Sequence, residues 1–442
     1  MHPASTSLGH YIGRAVGLNV ISKATGLGLQ LIVLPFAFRQ LGPERFGVYG
    51  VFVGIISLFT LLDAGMGPVL TRRIAVDIGS GKKTSSAASV GVLLALLLGI
   101  GCLLIGVVLV ALGAVDWVYG SHHVSLEEDI HLTSYVAVVL LALQPWQSLG
   151  SRVAAGTARL DEYSRWSATG NGLAGIFVFA ALWLQSSPAI LLLALNGTQL
   201  LVRGAATTVL LKTITPHVDG FGDYLRDLMA HGPLLREMLF DSGVFVFING
   251  SPLLLRETVR WALIRHASAA DVGVYSLLMQ MALVALSVLA MATSALWPLL
   301  ASHKANDKNE DAAKVLKWCN ASALICSIGV GISLLVSLSS NAASWLLGLE
   351  VPWLLQLVFA SYLVGSFWEH TQLLPFYAAG NWRWPLILYT GAIVVLVSIT
   401  FCFPQYITLY TAFIALLGLS LITTILLKLG ANRSDHFGAT GV

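Results

Sequence analysis

Hydrophobic positions along this chain do not alternate or gather into narrow stripes. They run on for roughly 20 residues at a time, the length an α-helix needs to cross the hydrocarbon core of a bilayer. Such runs fall at 16–38, 46–70, 85–113, 132–153, 167–185 and 189–211, and again at 239–263, 272–299, 318–340, 352–378, 385–403 and 406–428. A backbone in lipid must satisfy its own hydrogen bonds, so each run is predicted to be helical. The longest outer break, 114–131, holds His122, His123, Glu127, Glu128, Asp129 and His131. It reads as a solvated acidic loop, because the spacing matches no known metal-ligand set. No break is long enough for a soluble catalytic domain, so no catalytic residue and no cofactor is expected.

The pattern is written twice. Arg39-Gln-Leu-Gly-Pro-Glu-Arg-Phe-Gly-Val-Tyr49 returns 226 residues later as Arg265-His-Ala-Ser-Ala-Ala-Asp-Val-Gly-Val-Tyr275, and Ala154-Ala-Gly156 returns as Ala378-Ala-Gly380. Repeated halves with an even number of spans insert with the same orientation, related by an axis along the membrane normal. The expected fold is an all-α polytopic membrane protein. About 12 transmembrane helices form two six-helix, pseudo-twofold-related bundles around a central cavity. The predicted division is an N-terminal half, 1–213, a cytoplasmic interfacial connector, 214–238, and a C-terminal half, 239–442. The connector mixes Tyr224, Leu225, Leu228, Leu234 and Leu235 with Arg226, Asp227, Arg236 and Glu237, and its Gly232-Pro233 step breaks any helix there.

Composition agrees with this architecture. With 56% hydrophobic residues, 11% charged residues and a mean hydropathy of +0.80, a soluble globular chain is excluded. A formal charge of +3 implies no nucleic acid. Its placement says more: most of the 25 basic residues, among them Arg72, Arg73, Lys82, Lys83, Lys304, Lys308 and Lys428, fall in alternate breaks and in the two tails. The positive-inside rule therefore puts both termini in the cytoplasm. Cys102, Cys319, Cys326 and Cys402 lie in or beside apolar runs and suggest neither disulfides nor metal. The first run lacks a small-residue cleavage motif and is read as a retained span. Gly79-Ser-Gly-Lys-Lys-Thr84 fails as a phosphate loop, since Val76 occupies the required first glycine position and no strand precedes it.

Charges inside the runs need a reason, because a mid-helix Lys, Arg or Asp costs roughly 2.5 to 3.5 kcal/mol on insertion. They are Lys23, Asp63, Arg203, Asp241, Arg256, Glu257, Arg260 and Glu369. Asp63, Asp241 and Arg260 are near enough to run ends to reach the interface. Asn19, Lys23, Gly26 and Gln30 form a polar stripe at helical spacing. Shifted by the repeat offset, it lands on Phe245, Asn249, Pro252 and Arg256, with Arg260 one turn on. Matching stripes suit the lining of an aqueous cavity, and equally a dry helix interface bridged by polar groups. Glu257 falls on a different face from Arg256. Arg203 continues Asn196 and Gln199 on the sixth run, either facing the cavity or reaching the cytoplasmic interface. Glu369 beside His370 can carry a coupling proton or cation, or be a structural carboxylate.

At Leu41-Gly-Pro-Glu-Arg-Phe-Gly-Val-Tyr49, Leu62-Asp-Ala-Gly-Met66 and Arg72-Arg-Ile-Ala75, the chain resembles the polysaccharide-export flippases. These are the oligosaccharide and O-antigen translocases of the multidrug/oligosaccharidyl-lipid/polysaccharide superfamily. Arg260 with Gly273-Val-Tyr275 looks like that family's pattern, although Val259 stands where an acidic residue is often found. The resemblance implies a multi-pass protein of the bacterial inner membrane. It would move an undecaprenyl-diphosphate-linked oligosaccharide from the cytoplasmic to the periplasmic leaflet by alternating access, for surface polysaccharides such as O-antigen or exopolysaccharide. Its partners would be membrane lipids and the polysaccharide polymerase and assembly machinery.

The residue chemistry suits such a substrate. Lys23, Arg256, Arg260 and Arg203 are the candidates to hold the diphosphate, and Asn19, Gln30, Asn249, Gln144 and Gln147 to contact sugars. Glu369 and Asp241 are the ion-coupling candidates. Two alternatives stay open. A cation-coupled small-molecule exporter of the same superfamily needs an acidic cavity, and a membrane polymerase or ligase of lipid-linked glycans needs a large periplasmic loop.

Overall fold

The structure is a computed structural model. It describes 25, 26, 28–30, 32–57, 70, 71, 74, 77, 86–113, 126–157, 159–214, 250–305, 314, 317, 320, 321, 324, 325, 327–329, 332, 351–373, 376 and 383–437. Among these residues there is no strand, and the apolar runs have become helices. In chain order they are α1 (32–57), α2 (Ser86–Ala111), α3 (Glu127–Gly156), α4 (Leu160–Trp183), α5 (Pro188–Leu192), α6 (Thr198–Ile214), α7 (250–266), α8 (Ala269–Ala305), α9 (Trp353–Gln372), α10 (Arg383–Cys402) and α11 (Leu409–Phe437). Ala88–Ala111, Glu127–Gly156, Pro188–Thr213, Ala269–Ser287, Trp384–Cys402 and Leu409–Leu429 are each long and apolar enough to cross a membrane. Leu104, Ile105, Ile176, Phe177, Ile422 and Ile425 point outward and stay exposed, as lipid-facing side chains do.

The chain forms two compact units, Met1–Leu41 with Val48–Val246, and Gly42–Gly47 with Phe247–Val442. Of the connector 214–238 only Ile214 is described, as the last residue of α6; Asn19, Lys23, Asp63, Asp241, Asn249, His122 and His123 lie outside the described residues.

Within unit 1, small residues bring α2 and α3 together. A side chain on Gly99 would come within 2.5 Å of the Ala142 carbonyl oxygen, and one on Gly106 within 2.8 Å of Val138. Ile74, Ala88, Val92, Leu149, Val153, Ala206 and Leu210 form a buried cluster, with Trp146 packed on it. The loop expected at 114–131 is shorter than the composition suggests. Glu127, Glu128 and Asp129 form the first turn of α3, where carboxylates complement the exposed amides of a helix start. A π turn, Leu193–Gly197, joins α5 to α6 within one span and contains Asn196, whose Nδ2 is buried without a partner among the described residues.

The two copies of the repeated corner use different chemistry. In the first, Gly42 at φ +76° turns the chain inside α1, and Pro43 starts the next helical turn. In the second, Ser268 and Asp271 form a capping box ahead of α8. The Ser268 hydroxyl donates to Asp271 Oδ2 (2.7 Å) and accepts from the Asp271 amide (3.1 Å). Both copies meet in unit 2. A side chain on Gly47 would stand 3.2 Å from both the Ala269 carbonyl oxygen and the Gly273 nitrogen, and one on Gly273 would overlap the Pro43 carbonyl. The glycines common to both copies therefore permit backbone-to-backbone contact.

Candidate functional site

Each unit holds a buried polar centre built from several helices. In unit 1 it is organised on Arg203 of α6. The Arg203 guanidinium donates from Nε to Ser167 Oγ (3.1 Å) and from Nη2 to Asn171 Oδ1 (3.0 Å). Ser167 and Asn171 sit one turn apart on α4, so a single face of that helix presents both acceptors. Asn171 is buried, and its Nδ2 lies 2.9 Å from where a side chain of Gly26 would begin. Gly26, a member of the predicted stripe on the first span, thus faces α4 and makes room for the amide. Gln30 is half-buried one turn further on. Among the described residues no carboxylate pairs with Arg203, and its Nη1 has no hydrogen-bond partner.

The neighbouring turns extend this centre to α3. The Tyr163 hydroxyl of α4, one turn before Ser167, donates to the Gln147 carbonyl (3.0 Å). Gln147 Nε2 donates to Gln144 Oε1 (2.7 Å), while Gln147 Oε1 is buried with no partner among the described residues. A side chain on Gly150 would overlap Thr207, and the Thr207 hydroxyl donates to the Arg203 carbonyl (2.9 Å). The absence of a side chain at Gly150 is what lets α3, α4 and α6 close around these groups.

Unit 2 is arranged differently. Glu257 and Arg260, one turn apart on α7, are each about 1% exposed, and Arg260 Nη1 donates to both Glu257 oxygens at 2.8 and 2.6 Å. The guanidinium carbon stands 5.8 Å from the centre of the Tyr275 ring. Arg256 donates from Nε to the Tyr362 hydroxyl of α9 (2.6 Å), and its carbonyl accepts from the Tyr275 hydroxyl of α8 (2.8 Å). Both tyrosine rings pack on Phe413 of α11. Glu369 of α9, within electrostatic range of Arg256, accepts from the Tyr389 hydroxyl of α10 (2.8 Å) and the Ser420 hydroxyl of α11 (2.7 Å). One carboxylate thereby holds three helices together.

These contacts change the roles of several residues singled out from the sequence. Arg260 was expected among the cations free for a diphosphate; instead Glu257 engages it. With Val259 apolar, the acidic partner is Glu257, one turn earlier on the same helix. Each oxygen of Glu369 accepts from one hydroxyl, Tyr389 on Oε1 and Ser420 on Oε2. Arg203, Gln144 and Gln147 lie in one unit, Arg203 held by Ser167 and Asn171 of α4 and the Gln147 carbonyl by Tyr163 of the same helix. Asn19, Lys23, Asn249 and Asp241 lie outside the described residues. Ser167, Asn171, Tyr163, Tyr275, Tyr362, Tyr389 and Ser420 were not singled out. Ser167 and Asn171 did carry a signal, as polar residues at i and i+4 in an apolar run, whereas lone tyrosines in spans do not stand out from core aromatics.

The sequence pattern of a family described as polysaccharide biosynthesis protein matches residues 12–304. No curated protein matches the chain. Among solved structures, the chain is similar to the inward-facing conformation of a multidrug resistance MATE family transporter of the MOP superfamily. That match has a TM-score of 0.75 at 16% identity and covers 96% of this chain and 100% of the other. The outward-facing conformation of a multidrug resistance MATE family transporter matches with a TM-score of 0.65 at 16% identity, covering 97% of each chain. A MOP superfamily transporter from Pyrococcus furiosus matches with a TM-score of 0.66 at 17% identity, covering 95% of each. The reversed polarity of that transporter's binding pocket is described as suggesting a different function. At these identities the likeness is one of fold.

Proposed function

The chain belongs to the polysaccharide biosynthesis protein family, and from that premise we propose that it is a flippase. In this reading it carries a lipid-diphosphate-linked oligosaccharide from the cytoplasmic to the periplasmic leaflet of the bacterial inner membrane, with both termini in the cytoplasm. The observation that carries the reading is Arg203. It lies towards the middle of an apolar span, with a hydroxyl and an amide as its partners and no carboxylate among the described residues. Such a cation calls for water or an anion.

A diphosphate bearing sugars cannot enter hydrocarbon unaided, and guanidinium and amide donors inside the bundle replace part of its hydration. Gln144 and Gln147, in the same unit as Arg203, suit sugar hydroxyls, which both donate and accept. A cation exporter finds less support, because Glu257 and Glu369 are occupied by Arg260, Tyr389 and Ser420. The test is transport of a lipid-linked sugar into proteoliposomes by the purified protein. Wild type should transport, and Lys23→Ala, Arg203→Ala and Arg256→Ala should each be impaired. Full transport by Arg203→Ala would remove the observation on which the reading stands, and efflux of cationic dyes would favour the exporter.

A further inference from the structure

We propose that Ser167 and Asn171 make Arg203 the phosphate-binding subsite of this chain, by fixing its guanidinium while leaving its charge uncompensated. This deepens the transport reading above and rests on it. A guanidinium offers five N–H donors in a rigid plane. Here Nε and Nη2 are committed to Ser167 Oγ and Asn171 Oδ1, both on the same face of α4, which holds the plane still. Nη1 has no partner among the described residues, and it is not among their fully buried unpartnered atoms, so this edge retains some access.

Asn171 is itself clamped. It is buried at 3% exposure, and Gly26 leaves the space its amide fills. An aspartate at this place would give Arg203 a counter-charge; the amide has the same shape and accepts the same bond without neutralising it. Arg260 shows the opposite arrangement, with Nη1 held by both oxygens of Glu257. Thus one arginine is pinned by neutral groups and keeps its charge for a ligand, whereas the other has its charge matched inside the fold. An oxyanion accepts hydrogen bonds and donates none, which makes phosphate oxygens the complement of the free Nη1 edge.

The experiment uses the full chain, purified in detergent, and isothermal titration with two probes, inorganic diphosphate and farnesyl diphosphate. Wild type should bind at least one probe, and Asn171→Asp should weaken that binding by about tenfold or more as the new carboxylate takes the guanidinium. A purely structural bracing role predicts the reverse, since aspartate keeps the bond to Arg203 and leaves binding unchanged. Ser167→Ala should weaken binding by a smaller factor, and Arg203→Lys, which keeps the charge but loses the fork, should fall between. Thr169→Ala, exposed on the same helix, should bind like wild type and reports on handling. Thermal melts identify any variant that fails to fold.

Similar affinity for both probes would support recognition of the diphosphate group itself. Binding of farnesyl diphosphate alone would support a lipid headgroup as its source. Wild-type affinity in a folded Asn171→Asp, or binding of neither probe by wild type, would overturn the subsite. The two proposals fail separately: diphosphate binding lost in Asn171→Asp, without any lipid-linked sugar transport by wild type, leaves the subsite standing and removes the flippase.

Discussion

Arg203 in unit 1 and Arg260 in unit 2 are the same side chain on helices of a membrane bundle, Arg203 half-buried and Arg260 about 1% exposed. Their surroundings give them opposite properties. Arg260 meets a carboxylate one turn away, and the network around it adds Arg256, Tyr275, Tyr362 and Glu369, with two cations balanced by two acids. Arg203 meets Ser167 and Asn171. A buried ion pair is costly to form and costlier to break; here it lies within α7, and Tyr275, Tyr362 and Glu369 beside it tie that helix and its neighbours together. A cation held by dipoles is oriented without being neutralised, and remains able to attract a charged ligand. Unit 2 thus has the chemistry of a brace, and unit 1 that of a receptor.

The largest expected effect would break this contrast from the unit 2 side. Glu257→Gln strands the Arg260 charge and should destabilise the protein by about 3–5 kcal/mol, read as a lowered unfolding temperature. Adding Arg260→Met should recover most of the loss, and an undiminished melting temperature in the single variant would show that the pair braces nothing. Next comes the carboxylate that joins α9, α10 and α11. Tyr389→Phe removes one of its two hydroxyl donors and should cost roughly 1.5–3 kcal/mol, the range for a hydrogen bond to a charged group, by denaturant titration.

Arg203→Gln sharpens the contrast because its effects should separate. Lipid-linked sugar transport should drop about tenfold or more, equivalent to about 1.4 kcal/mol, while the melting temperature stays near wild type. A large loss of stability without loss of transport would make Arg203 a brace as well. The smallest change expected is in Tyr163→Phe, which removes the bond to the Gln147 carbonyl. It should cost about 0.5–1.5 kcal/mol, measurable as a modest shift in unfolding midpoint.

How much of this could be read beforehand varies by element. The helices from Ser86 to Ala111 and from Arg383 to Cys402 begin and end close to their apolar runs, since length and hydropathy are properties of a segment by itself. The break between the runs ending at 38 and starting at 46 was legible too, and it holds Gly42, whose φ of +76° glycine adopts readily. The start of α3 was not, since Glu127, Glu128 and Asp129 look like a loop until the helix amides they complement are known. The Glu257–Arg260 pair was visible as an i, i+3 spacing. The expectation for Arg260 nevertheless rested on a repeat offset that aligned it with a polar stripe, and that comparison says nothing about a neighbour one turn away.

The repeat shows where reading along the chain stops. That Arg39–Tyr49 and Arg265–Tyr275 are copies follows from the residues; that Gly47 and Gly273 of the two copies lie backbone to backbone does not. Transfer from water to lipid sums over the residues of one segment, so the chain's order alone sets which segments are helical and membrane-embedded. The identity of an arginine's partner depends on how helices are rotated and set beside each other. Side chains distant in sequence enter that choice together, as Asn171 does for Arg203 and Tyr362 for Arg256, and it was therefore made only in the folded bundle.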